Sequence, residues 1–168
     1  LRFAIVPDRS RVWIEARSSL HPIHSTTSGL DGWLEVEVAG GRVAPSETTR
    51  GWLELAVDLL SSGNPINDRE MKRRIDARRY PTITGELTGI EDTDDGGYQV
   101  RGDLTFRGVT RNYQGRMDIV SLDDGSLRLE GERVFDIREF GMQPPRILML
   151  RVFPDVSVRV SIVAEKRG

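Results

Sequence analysis

A chain of 168 residues, 38% hydrophobic and 30% charged, is long and apolar enough to bury one core, and the absence of cysteine excludes disulfides, thiol nucleophiles and thiolate metal sites. The 26 Asp and Glu against 24 Lys and Arg leave a formal charge of −2, so no whole-molecule attraction to nucleic acid or anionic membrane is expected. No apolar run approaches the ~20 residues of a membrane span, and the cellular compartment is left open.

Period-two alternation dominates from the first third of the chain onward. Val12, Ile14 and Ala16 alternate with Trp13, Glu15 and Arg17, which predicts a strand. Leu20-His21-Pro22-Ile23-His24 reads as a loop because of Pro22. Leu34, Val36 and Val38 form a second strand, and Leu53, Leu55, Val57 and Leu59 a third that ends at the Ser61 to Pro65 loop. Met71 and Ile75, four apart among charges, predict one short helix between Asn67 and Arg79, with Asn67 and Glu70 as a capping box and Pro81 as its stop.

Alternation then resumes at Ile83, Gly85 and Leu87, and again at Tyr98, Val100, Gly102, Leu104 and Phe106, with a hairpin turn over Asp92 to Gly97. Turns at Arg107 to Thr110 and Asp123 to Ser126 lead into Tyr113, Gly115, Met117 and Ile119, then Leu127 and Leu129. An apolar stretch from Ile147 to Phe153 passes through Pro154-Asp155 to a final strand of Val156, Val158, Val160, Ile162 and Ala164.

With no repeat or linker, residues 1–168 are expected to form a single all-β domain with one helical insert. About eight antiparallel strands leave two long edges unless they close into a barrel. A barrel of ~8 strands is either filled by its side chains or holds one small ligand. The apolar phase of the strands puts Val12, Ile14, Leu53, Leu55, Val57, Leu59, Ile83, Leu104, Phe106, Tyr113 and Met117 on the inner face. Gly85, Gly102 and Gly115 share that phase, so each either leaves room inside or permits a bulge.

Catalytic chemistry has few carriers. His21 and His24 are the only imidazoles, with no third ligand nearby and no Gly-x-Ser-x-Gly motif, so neither a metal centre nor a resident cofactor is expected and an acid–base role for either histidine is the minor alternative. Arg73, Arg74 and Arg78 in the basic helix could receive an anionic head group at a pocket mouth, against the plainer reading of a solvated face. Trp13 and Trp52 fall out of phase with the inner face. They either mark a contact surface, such as that of a homodimer, or pack on the outside of the wall.

Several motifs resemble the YceI-like family: Gly63-Asn64, Asn67-Asp68-Arg69, Arg79-Tyr80-Pro81-Thr82-Ile83-Thr84, the run from Arg101 to Thr110, and Glu139-Phe140-Gly141-Met142. The resemblance spans nearly the whole chain and implies a lipocalin-like, eight-stranded antiparallel barrel with a helical insert. It also implies a lumen that houses a polyisoprenoid, an isoprenoid quinone or a similar long-chain lipid, and a binding protein in place of an enzyme. Family members commonly carry Phe where Gly85 stands and a bulkier aliphatic residue near Gly115, which implies a wider lumen here.

Overall fold

The alternating segments form a closed wall in a computed structural model that describes residues 1–20, 22–144, 146–147 and 150–167. The strands are β1 (Arg2–Ile5), β2 (Arg11–Ser18), β3 (Ile23–Thr27), β4 (Leu30–Glu35), β5 (Glu37–Ala39), β6 (Arg42–Ala44) and β7 (Arg50–Ala56). After the helix α1 (Pro65–Ile75) come β8 (Thr82–Asp92), β9 (Tyr98–Phe106), β10 (Val109–Ser121), β11 (Leu127–Asp136), β12 (Arg146–Ile147) and β13 (Leu150–Arg167).

Neighbours pair antiparallel in the order β1-β4-β7-β8-β9-β10-β11-β13, and β13 returns to β1 from Arg2↔Arg167 to Ile5↔Ala164. The result is a closed eight-stranded barrel. Two of its staves are broken: β2 extends the line of β1 along β13, and β3 extends that of β4. The first break is a 3-10 turn at Pro7–Arg9. Buried Ser10 repairs it, because its hydroxyl donates to the Val6 carbonyl at 2.8 Å and accepts from the Val163 amide at 3.0 Å.

Hairpin turns lie where the sequence places them. Arg107 (φ 53°) and Gly108 (φ 73°) are both left-handed, the pair of conformations that a two-residue hairpin between right-twisted strands requires. Pro154 does not divide the last strand. The ladder between β13 and β2 shifts register between Val152 and Val156, and this bulge absorbs a residue that has no amide hydrogen to donate.

Three expectations change. β1, β3 and the β5–β6 hairpin are additional strands, and His24 lies on β3 because Pro22 precedes the strand without interrupting it. The helix begins earlier and ends sooner than expected: Asn64 is its cap, accepting from the amides of Ile66 at 3.0 Å and Asn67 at 3.3 Å, with Pro65 in the first turn. Asp76, left-handed at φ 60°, ends it. Strand β7 stops at Ala56, and a 3-10 turn over Val57–Leu59 turns Leu59 out to 56% exposure, so Leu59 is not an inner-face residue.

One end of the barrel is plugged. Tyr98, fully buried, packs with Phe3, Leu34, Val36, Val43 and Leu127, and its hydroxyl donates to the Val43 carbonyl at 3.0 Å. Val43 belongs to the β5–β6 hairpin, which is thereby tied to this end. At the other end α1 rests its apolar side, Met71 and Ile75, against Val57 and Met142.

Candidate functional site

The inner face encloses two adjoining cavities, of about 290 Å³ and about 300 Å³. Leu53, Leu104, Phe135, Val158, Val160 and Ile162 contribute to both linings, so the two are halves of one lumen. The half nearer α1 is lined by Val12, Ile14, Leu55, Val57, Ile83 and Phe106. The half nearer Tyr98 is lined by Gly85, Tyr113, Gly115 and Met117. Leu59 lines neither.

The glycines of the inner face do different things. A β-carbon at Gly115 would meet nothing within 4 Å, so this glycine borders open space. At Gly85 the space is taken, with Leu53 Cγ 3.1 Å from the position of a β-carbon. At Gly102 the carbonyl oxygen of Glu86 would lie 2.8 Å from one, beside the register shift between Leu87 and Gly89, so this glycine serves a close backbone approach.

Polar groups gather at two places. By α1 the lining includes Ser62, Asn67, Asp68 and Lys72, and Asp68 Oδ1 accepts from the Ser62 hydroxyl at 2.6 Å. Arg73, Arg74 and Arg78 do not line the lumen. All three are exposed, and Arg73 and Arg74 are engaged by Glu70 at 2.9 and 3.0 Å. Helical periodicity explains this: Asp68, Met71, Lys72 and Ile75 recur at three- and four-residue steps and share the inward face, which turns positions 73 and 74 to solvent. The cation at this mouth is Lys72.

The second polar group lies on the β10–β11 side. The Tyr113 hydroxyl donates to Glu139 Oε2 at 2.7 Å, and burial, reinforced by that hydrogen bond, pushes the phenol up to about 12. Tyr113 therefore stays protonated and acts as a donor. The Arg133 guanidinium stacks 4.8 Å from the Tyr113 ring centre and 5.7 Å from that of Phe135. Arg133 escaped the sequence reading because a charged residue in an inward phase contradicts the pattern used to find inward residues. Its phase with Leu127, Leu129 and Phe135 was nonetheless the available signal.

His24 is exposed, with Nδ1 3.6 Å from a Glu15 carboxylate oxygen. His21 lies outside the described residues, among which no group of three potential metal ligands gathers. Trp13 is half-buried beneath Arg159, whose guanidinium carbon is 4.1 Å from the ring centre. Trp52, 36% exposed, pairs across the ladder with Trp33. No helix among the described residues is long and apolar enough to cross a membrane.

Solved structures share this architecture. BcnA of Burkholderia cenocepacia is 15% identical with a TM-score of 0.79, over 95% of this chain and 98% of that one. A polyisoprenoid-binding domain of Saccharophagus degradans, implicated in plant cell wall breakdown, is 11% identical with a TM-score of 0.76, over 98% of each chain. The YCEI protein of Campylobacter jejuni is 13% identical with a TM-score of 0.69, over 87% and 86%. At such identities the likeness shows the fold. No curated protein matches the sequence. The YceI-like domain family, however, matches residues 3–164, nearly the whole closed barrel with its helical insert, and the chain therefore belongs to the YceI-like family.

Proposed function

We propose that this protein binds one long-chain apolar lipid of the isoprenoid class in its lumen, and stores or carries it without chemical change. The observation that carries this reading is the apolar interior space, two adjoining cavities that share one wall, where a filled core would leave none. Family membership and the likeness to a barrel described as polyisoprenoid-binding support it.

Burial energetics favour a long ligand over a short one. At ~0.8 kcal/mol per buried CH₂, a five-carbon chain gains ~4 kcal/mol, the low end of the ~4–15 kcal/mol lost on association, whereas a fifteen-carbon chain gains ~12 kcal/mol. A lumen lined by aliphatic side chains selects girth and length more than identity, so polyprenyl chains and the tails of isoprenoid quinones are equivalent occupants. A carrier role also fits the titratable groups, since Tyr113 is held protonated and His24 lines neither cavity.

Native mass spectrometry of protein purified without detergent, followed by solvent extraction, tests the reading. One apolar chain per protein is expected, and stripped protein should take up farnesol or geranylgeraniol at micromolar concentration. Stripped, folded protein that takes up neither would overturn it.

A further inference from the structure

The barrel wall is not hydrogen-bonded all the way round. β10 pairs with β9 from Val109 to Met117, and β11 pairs with β13 along its whole length from Leu127 to Asp136. Between them, however, β10 and β11 pair only over Met117–Ser121 and Leu127–Gly131. Beyond Met117↔Gly131 the two strands run on with no ladder between them, leaving a slot beside the half of the lumen that Tyr113 and Gly115 line. Open space at Gly115 agrees with this.

Side chains span the slot where backbone does not. Tyr113 and Phe135 meet edge to face at 5.0 Å, and the Arg133 guanidinium donates to the Gln114 carbonyl on the opposite strand. The alternation of β11 breaks here: Arg133 shares the inward phase of Leu129 and Phe135 and borders the cavity while staying exposed, and Val134 faces outward at 60% exposure. A large apolar side chain left in solvent beside a cation in an inward phase departs from the usual pattern, as is expected where function requires it.

Arg133 has no carboxylate partner among the described residues; it is held by two rings and one carbonyl. The charged groups acting on Tyr113 at this spot are Glu139, Arg133 and Arg111. Glu139 is itself occupied by the Tyr113 hydroxyl.

We infer that the slot between β10 and β11 is a lateral portal for the lipid tail, and that Arg133 at its edge receives an anionic head group, phosphate or carboxylate, in exchange for the Gln114 carbonyl. This rests on the lumen being the lipid site. An arginine stacked on aromatic rings is pre-oriented as a planar fork for two anionic oxygens, and a head group held at the slot leaves the tail in the apolar lumen. Opening the slot requires only side-chain rearrangement, since no ladder hydrogen bond is broken.

The test compares farnesyl monophosphate, farnesol and inorganic phosphate on delipidated protein, using native mass spectrometry and calorimetry at low and high salt. The wild type should bind the phosphate ester about tenfold or more tightly than the alcohol, with the ratio falling as salt rises. Arg133→Met, which keeps the stacked stem, should bring that ratio near unity by weakening the ester, and Arg133→Lys should retain part of it. A ratio near unity in the wild type, a ratio that survives Arg133→Met, a ratio lost instead on Lys72→Met, or inorganic phosphate binding as tightly as the ester would each overturn the inference. If none of the lipids binds to folded protein, the lumen reading itself fails and the portal falls with it.

Discussion

Leu53 stands directly across the β7–β8 ladder from Gly85, and its side chain fills the volume that the glycine leaves. The lumen is thus not wider at Gly85, as the family comparison implied, but exchanges one wall residue for another. Gly85 has no positive φ, so a larger residue is opposed there by Leu53 and not by the backbone. Gly85→Phe alone should destabilise by about 1–3 kcal/mol through overpacking, and Leu53→Ala in the same protein should recover most of that loss. Urea unfolding of the two single variants and the double variant measures the coupling; additive effects would show that the side chains do not share this space.

At Gly115 the opposite holds. A β-carbon enters open space, and glycine in a strand interior weakens it, so Gly115→Ala should hold or raise stability by up to about 1 kcal/mol. Gly115→Phe should fold equally well but shorten the longest chain that binds, because its ring occupies the lumen. A series of saturated alcohols of increasing length, scored by native mass spectrometry, should show the cut-off moving down. An unchanged cut-off would place the lipid elsewhere.

Tyr98 closes the far end with a buried hydroxyl on the Val43 carbonyl. Tyr98→Phe keeps the plug but leaves that carbonyl without its donor, and should cost about 1–2 kcal/mol of stability while leaving lipid capture intact. Thermal unfolding and uptake measured together distinguish this from an entrance at the Tyr98 end, for which uptake would change as well.

Acid stability should depend on the hairpin turns. The hydroxyl and amide of Ser126, with Arg9 beyond them, hold the Asp124 carboxyl at about 2, below its ordinary 3.8. Asp95 is lowered in the same direction by Thr93, Arg116 and the Gly97 amide. A depressed folded pKa stabilises fully above the unfolded value and is lost as pH falls through the folded one. Stability should therefore be flat with respect to these groups above pH about 5, and decline from pH about 4 towards 2. Asp124→Asn should lower stability at pH 7 and flatten that decline, as read from urea midpoints across the range; a decline as steep as the wild type's would remove Asp124 from the account.

The parts that sequence alone determined are those governed by neighbours along the chain. Alternation is a local property of extended backbone, so the inward phase of Leu53, Leu55, Leu104 and Met117 could be read directly. The turns at Asp92 to Gly97, Arg107-Gly108 and Asp123 to Ser126 were equally legible, since Gly96, Gly108 and Gly125 all adopt positive φ there. Tertiary structure decided the rest. The early strand β1 has four residues, too few for its alternation to stand out, and is defined by pairing with the far end of the chain, Arg2 with Arg167. Lys72 replaced Arg73 and Arg74 at the mouth because the rotation of α1 about its axis is set by where Met71 and Ile75 find Val57 and Met142. The slot beside Arg133 could not be read locally: Arg133 in an inward phase and the exposed Val134 break the alternation of β11, but the gap itself arises because β10 follows β9 while β11 follows β13. Whether two strands stay paired along their full length depends on the twist and register of every other strand in the closed wall.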